Sequence, residues 1–121
     1  MALTKTKVAV MLAKGVHSTT WTFTGTSAGA GDGQDLPQYP DKSVQISGTF
    51  GGGTVVIQGT NADPTASKWS TLADPNGNAM SYTTTTLEQI LEITRYIRPN
   101  MTVGGAAGAI TVRCISSAYK R

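Results

Sequence analysis

The sequence predicts an all-β protein, an antiparallel β-sandwich or jelly-roll-like domain with one short helix. Three observations predict it. Apolar residues recur at every second position in several short runs, the mark of half-buried strands. Turn residues separate those runs, with 14 Gly and 5 Pro along the chain. A length of 121 residues fits one domain with a modest core. Charged residues make up only 14 %, against roughly 25 % in ordinary globular chains. Solubility therefore rests on Thr, Ser, Asn and Gly, which suits a subunit that lives inside an assembly.

Taken in order, Lys5 and Lys7 precede an apolar run from Val8 to Ala13. That arrangement imitates an export signal, but the run is shorter than the roughly 7–15 residues of a signal core and far below the roughly 20 of a membrane span. It reads as a strand or extended arm, so residues 1–18 are an N-terminal arm or strand and residues 19–121 the β-sandwich domain. Thr19 to Thr24 (TTWTFT) alternates Trp21 and Phe23 against threonines, a strand whose rings fill the core. Residues 25–42 carry Gly29, Gly31, Gly33, Pro37 and Pro40 and read as a long surface loop. Asp32 and Asp35 within it resemble part of a calcium loop but lack the regular ligand positions and the closing Glu. No Gly-Lys-Ser/Thr follows, so the loop is not a phosphate cradle either.

Val44 to Asn61 (VQISGTFGGGTVVIQGTN) reads as a hairpin. Val44, Ile46 and Phe50 alternate with polar residues, Gly51 to Gly53 supply a tight reversal, and Thr54 to Gln58 rises again with β-branched residues. Asn61 to Ser67 is a polar turn and Lys68 to Leu72 a short strand carrying Trp69. Asp74-Pro75-Asn76-Gly77-Asn78 is a turn, across which Met80 to Thr84 pairs back. Thr85 and Glu88 have capping-box spacing, and Leu87, Ile90 and Leu91 recur at helical intervals, so Thr85 to Thr94 is the expected helix of one or two turns. Glu88 and Glu92 form its solvated face. Tyr96 to Val103 (YIRPNMTV) alternates again, and Pro99 makes it an edge strand or a bulged one. Gly104 to Gly108 is the last turn, and Ala109 to Ser116 is the final strand, with Ile110, Val112 and Cys114 on one face. The total is roughly eight strands without internal repeats.

Chemistry-bearing residues are sparse. The net charge is +3 and the pI about 9.2, but the ten Lys and Arg residues are scattered, with no run and no interleaved aromatic platform for nucleic acid. Cys114 is the only cysteine, which rules out an internal disulfide, and His17 is the only histidine. Neither has a sequence partner that would make it a metal ligand or an activated nucleophile. The expectation is no enzyme, no cofactor, no metal site, no nucleic-acid partner and no membrane partner.

The strings SVQISGTFGGGTVVIQGTN (Ser43 to Asn61), WSTLADPNGN (Trp69 to Asn78), LEQI (Leu87 to Ile90) and RYIRP (Arg95 to Pro99) together resemble small virion proteins of tailed bacteriophages. Among these the chain is most similar to capsid decoration, or cement, proteins. The likeness spans Ser43 to Val112 and leaves residues 1–42 unmatched. It implies a homotrimer bound to the major capsid protein on the capsid exterior, made in the bacterial host cytoplasm, and it brings no catalytic residues. A cement subunit needs a rigid body, free edges and arms that gain order on docking, so that weak contacts add through effective concentration. The edge expected at Tyr96 to Val103, the N-terminal arm and the Gly/Pro loop fit that need. Candidate assembly contacts are Lys5, Lys7, Tyr39, Tyr96, Arg98, Lys120 and Arg121. Two alternatives stand: a neck or tail structural protein, and a carbohydrate-binding, lectin-like module. The latter would use Trp69, Tyr82 and Tyr39 as exposed rings beside Asn76 and Asn78.

Overall fold

The longest alternating runs of the sequence become the longest strands. The computed structural model describes residues 4–25, 27–36, 39, 41–65, 67–104 and 108–118. Within them lie β1 (Thr4–Ala13), β2 (Val16–Gly25), β3 (Gly29–Ala30), β4 (Gln34–Asp35), β5 (Asp41–Gly48), β6 (Thr54–Thr60), β7 (Ser70–Thr71), β8 (Ser81–Tyr82), β9 (Thr86–Gln89), β10 (Tyr96–Val103) and β11 (Gly108–Ser117). One open sheet has the order β1-β2-β11-β5-β9. The other has the order β3-β10-β6-β7, with β4 also on β10 and β8 also on β6. Every pairing is antiparallel. The two sheets share one core: Trp21, Phe23, Val44, Ile46, Ile110, Val112 and Cys114 from the first meet Val55, Ile57, Ile97 and Met101 from the second. The protein is thus all-β and sandwich-like, and each large apolar side chain so buried contributes about 1.5–3 kcal/mol.

The expected hairpin at Val44 to Asn61 is instead a crossing between the sheets. The reversal is present, with positive φ at Gly51 (57°) and Gly52 (88°) and a bond from Gly53 N–H to the Phe50 carbonyl at 2.8 Å. Its two arms part company. Val44 and Ile46 pair with Cys114 and Val112 on β11, whereas β6 runs beside β10. Gly48 starts the departure at φ 124°, where a β-carbon would collide with the Ala109 carbonyl oxygen, and Phe50 is then buried. Alternation fixes which side chains go inward; it does not choose between a partner in the same layer and one across the core.

The expected helix at Thr85 to Thr94 is absent. Thr86 to Gln89 forms β9, paired along β5 with Val44 opposite Glu88 and Ile46 opposite Thr86. The supposed apolar stripe is not buried as a unit, since Ile90 enters the core while Leu87 is 66 % and Leu91 53 % exposed. The threonine run favours extended backbone, and the free side of β5 offers a ladder that an isolated helical turn cannot match.

Tyr96 to Val103 is not an edge strand either, because β6 lies on one side of it and β3 and β4 on the other. Pro99 is accommodated in two ways. Ile57, its partner on β6, directs its own N–H and C=O toward Met80 and Leu72, so the proline nitrogen faces the outer side, where a ladder donor is not required. There the neighbour is interrupted between β3 and β4, and Gly31 donates its N–H to the Pro99 carbonyl at 2.8 Å. A β-carbon at Gly31 would lie 2.8 Å from Trp21 and 3.2 Å from Pro99. The bulge expected for this strand falls between Met101 and Val103.

The Gly/Pro segment is therefore more than a surface loop. It supplies β3 and β4, buries Leu36, and accepts the Trp21 indole N–H at the Asp32 carbonyl (2.7 Å). The turn at Asp74 to Asn78 forms as read: the Asp74 carboxylate accepts the N–H groups of Asn76 and Asn78 at 2.9 and 3.0 Å. Ala79 pairs back across it with Ala73, while β8 pairs with β6. The region around Gly104 to Gly108 lies mostly outside the described residues.

Candidate functional site

Alternation along β10 sends Ile97, Pro99 and Met101 inward and leaves Tyr96, Arg98 and Asn100 on the outer face of the six-stranded sheet. Arg98 sits opposite Gln58 of β6, and its Nε donates to Gln58 Oε1 at 2.9 Å. The guanidinium lies over the ring of Trp69, 4.2 Å from its centroid, a cation–π contact. Trp69 is held from below: its indole N–H donates to the Pro64 carbonyl at 3.2 Å, and a β-carbon at Gly33 would lie 2.9 Å from its ring edge. Asp63 fixes the neighbouring turn by accepting from the Thr65 N–H (2.9 Å) and hydroxyl (2.7 Å), bonds that hold its carboxyl below the usual range. Gln58, Pro64, Thr65, Ser67, Trp69 and Arg98 line an open depression of about 320 Å³.

A second arginine stands nearby with different company. Arg95 meets Asp35 through two parallel contacts, Nε to Oδ1 at 3.1 Å and a terminal nitrogen to Oδ2 at 3.2 Å, and lies 5.0 Å over the ring of Tyr96. Asp35 raises its pKa, through the hydrogen bond first and charge second. Both partners are exposed, so the pair adds little stability. Arg98 is half-buried, and burial lowers its pKa.

A long free rim lies at the far end of the other sheet. β1 pairs with β2 along one side, from Thr4 opposite Thr24 to Ala13 opposite Val16. Its other side has no strand among the described residues. Val8, Val10, Met11 and Leu12 are 60, 47, 63 and 58 % exposed. Lys5 and Lys7 stand opposite Phe23 and Trp21, hence on the core side of the sheet. They donate to the carbonyls of Ala30 and Gly33, pinning the Gly/Pro segment to β1.

The candidate contacts are thus dispersed. Arg98 and Tyr96 share the outer face, Lys5 and Lys7 are engaged within the fold, and Tyr39 packs on the core and on His17, ring centroids 5.5 Å apart. Lys120 and Arg121 lie outside the described residues. Of the rings considered for sugar binding, only Trp69 lines the depression, and it does so beside Gln58, Thr65 and Ser67 rather than Asn76 and Asn78. The Tyr82 hydroxyl is buried without a hydrogen-bond partner. Sequence reasoning missed Gln58, Thr65 and Ser67. The outward parity of Gln58 and Arg98 is legible in the chain, but their register is not.

Cys114 is buried, and burial pushes its thiol up to about 11, against a weaker downward pull from the Ser116 hydroxyl at 3.5 Å. Lys42 beside it is 1 % exposed, and its Nζ has no hydrogen-bond partner. Burial lowers the Lys42 pKa, while Cys114 and then Asp41 pull it up.

No known protein family matches the sequence, and no curated protein is similar to it in sequence. A solved structure shares its fold. SPBc2 prophage-derived protein YomS is 14 % identical, with 96 % of this chain and 95 % of that chain aligned at a TM-score of 0.59. A cupin superfamily protein from Desulfitobacterium hafniense is 10 % identical, with 94 % and 77 % aligned at a TM-score of 0.46.

Proposed function

We propose that this chain is a non-enzymatic structural protein of a tailed-phage particle, acting as a capsid decoration or cement protein that binds the major capsid protein and copies of itself, as a homotrimer, on the capsid exterior. The observation that carries this reading is the free rim of β1, ten residues long with four exposed apolar side chains. Folded proteins ordinarily blunt such a rim with a bulge, a proline or charges, because its unpaired N–H and C=O groups recruit another strand. On β1 the register shift lies near the end of the strand, between Met11 and Ala13, and Lys5 and Lys7 are bonded back to Ala30 and Gly33, so the rim between them is a docking edge for main-chain hydrogen bonds. The fold shared with a prophage-derived protein supports the phage setting. The interior chemistry agrees with a role in binding: a thiol near 11 stays protonated at neutral pH and is a poor nucleophile. A neck or tail position would use the same rim. The sugar-binding reading is less well supported, because Trp69 has given its N–H to Pro64 and one face to Arg98.

Light scattering on the purified chain, followed by mixing with its phage's undecorated heads, tests the proposal. The expected result is a trimer that adds to heads. The double variant Val10→Lys, Leu12→Lys should stop both while leaving the melting temperature nearly unchanged, since both side chains are exposed in the free subunit. A monomer that ignores the heads would refute it.

A further inference from the structure

Arg98 and Arg95 lie three residues apart in the chain; Arg95 is paired with the Asp35 carboxylate, whereas among the described residues no salt bridge joins Arg98 to a carboxylate. A guanidinium carries five N–H donors, and the fold uses the Nε–H of Arg98 on Gln58. Its other N–H groups have no partner among the described residues, beside a depression that Arg98 itself lines. A half-buried cation without a counter-charge is unfavourable unless something outside supplies one. Stacking on Trp69 shields one face and holds the fork in a single plane. Such a group is preorganised, because its orientation is settled before a ligand arrives.

We infer that the depression between Gln58, Trp69 and Arg98 receives a carboxylate, that of an Asp or Glu side chain on a partner protein. This deepens the assembly reading and rests on it for the identity of the partner. The chemistry of the site selects the ligand class. What it has left to offer is donors: the Arg98 fork and the Ser67 hydroxyl, whereas the Gln58 carbonyl and the Thr65 hydroxyl proton are already engaged. A neutral sugar favours a bare aromatic face, and Arg98 covers one face of Trp69. One cation without a nest of backbone N–H groups matches a monoanion better than a phosphate. A volume of about 320 Å³ admits an acidic side chain with its stem. The chain's own charge, ten basic residues against seven acidic, complements an acidic partner.

The test is an NMR titration of the isolated full chain labelled with nitrogen-15, following the Arg98 Nε–Hε signal and the Trp69 indole Nε1–Hε1 signal. The probes are glutamate blocked at both backbone ends, blocked glutamine as its neutral isostere, glucuronate, and chloride at matched ionic strength. Blocked glutamate should give a saturable shift, with blocked glutamine weaker by about tenfold or more. Arg98→Gln should abolish the response of the Trp69 indole signal and Trp69→Leu should weaken that of the Arg98 signal several-fold, with amide spectra otherwise unchanged; Arg95→Gln should leave both intact. Equal responses to glutamine or chloride, or a response that survives Arg98→Gln, would overturn the carboxylate site. Tighter binding of glucuronate would overturn the protein source. Because the titration needs no oligomer and no capsid, its failure leaves the β1-rim reading standing, and failure of head binding leaves the titration readable.

Discussion

The two sheets are built in opposite ways. In the five-stranded sheet, β2 and β11 pair along ten consecutive positions and β5 and β11 along eight, so the ladder follows from long alternating strands alone. In the six-stranded sheet only β6 and β10 are long, and β3, β4, β7 and β8 are two residues each. Those short pieces are held by side chains bonding to backbone: Trp21 to Asp32, Trp69 to Pro64, Asp74 to Asn76 and Asn78, and the Glu92 carboxylate accepting the Ala73 N–H at 2.8 Å. The difference teaches a division of labour. One sheet supplies cooperative stability; the other gives up ladder length and gains turns that carry Trp69 and frame the depression. Regions with short ladders and exposed turns open locally at lower free energy than continuous ones.

The sharpest way to break this contrast is at the centre of the first sheet. Phe23→Ala empties a fully buried position and should cost about 3–5 kcal/mol, read as a lowered midpoint for the whole molecule in urea. A change confined to one sheet would contradict a shared core. Next in size is the alkaline response of Cys114. Its folded pKa, about 11, exceeds the reference value of 9.0, so its contribution is complete below pH 9 and is lost as pH rises through 11. At about 1.4 kcal/mol per unit this amounts to about 2–3 kcal/mol. Lys42 acts in the opposite sense: its lowered folded pKa makes stability rise with pH on approach to 10.5. Unfolding at pH 8 and pH 11 should therefore show a shallower alkaline loss in Cys114→Ala than in the wild type, and a steeper one in Lys42→Met.

A smaller effect should come from the second sheet. Asp74→Ala removes the acceptor for two backbone N–H groups and should cost about 1–2 kcal/mol, expressed as faster amide exchange at Asn76 and Asn78. If it also speeds exchange throughout β2 and β11, the two sheets do not differ in the way described. Smallest of all, Arg95→Gln should leave the melting temperature unchanged, because the pair it breaks is exposed to water on both sides.

Local pattern made much of this legible. Thr19 to Thr24, Ala109 to Ser116 and the Asp74 turn are where alternation and turn chemistry place them, since each depends on near neighbours. What sequence could not supply was pairing. Val44 to Asn61 has the alternation and glycines of a hairpin, yet its arms lie in different layers because both layers bury the same face. Thr85 to Thr94 has a helical spacing of Leu87, Ile90 and Leu91, but of these only Ile90 found a core to enter. Pro99 correctly signalled an irregular ladder and misled about where the sheet ends. The depression was invisible for the same reason: Trp69 and Arg98 meet only through a register that spacing does not encode.

The accessible rims set the arithmetic of self-association. Among the described residues every outer strand except β1 is four residues or shorter, so β1 is the extended side on which another strand can grow. Identical rims that zip together satisfy each other in twos and then stop, a self-limiting pair with no filament beyond it. A three-fold ring therefore requires the β1 side of each copy to rest on a different surface of the next, and that head-to-tail geometry would give all three copies the same pair of unlike contacts.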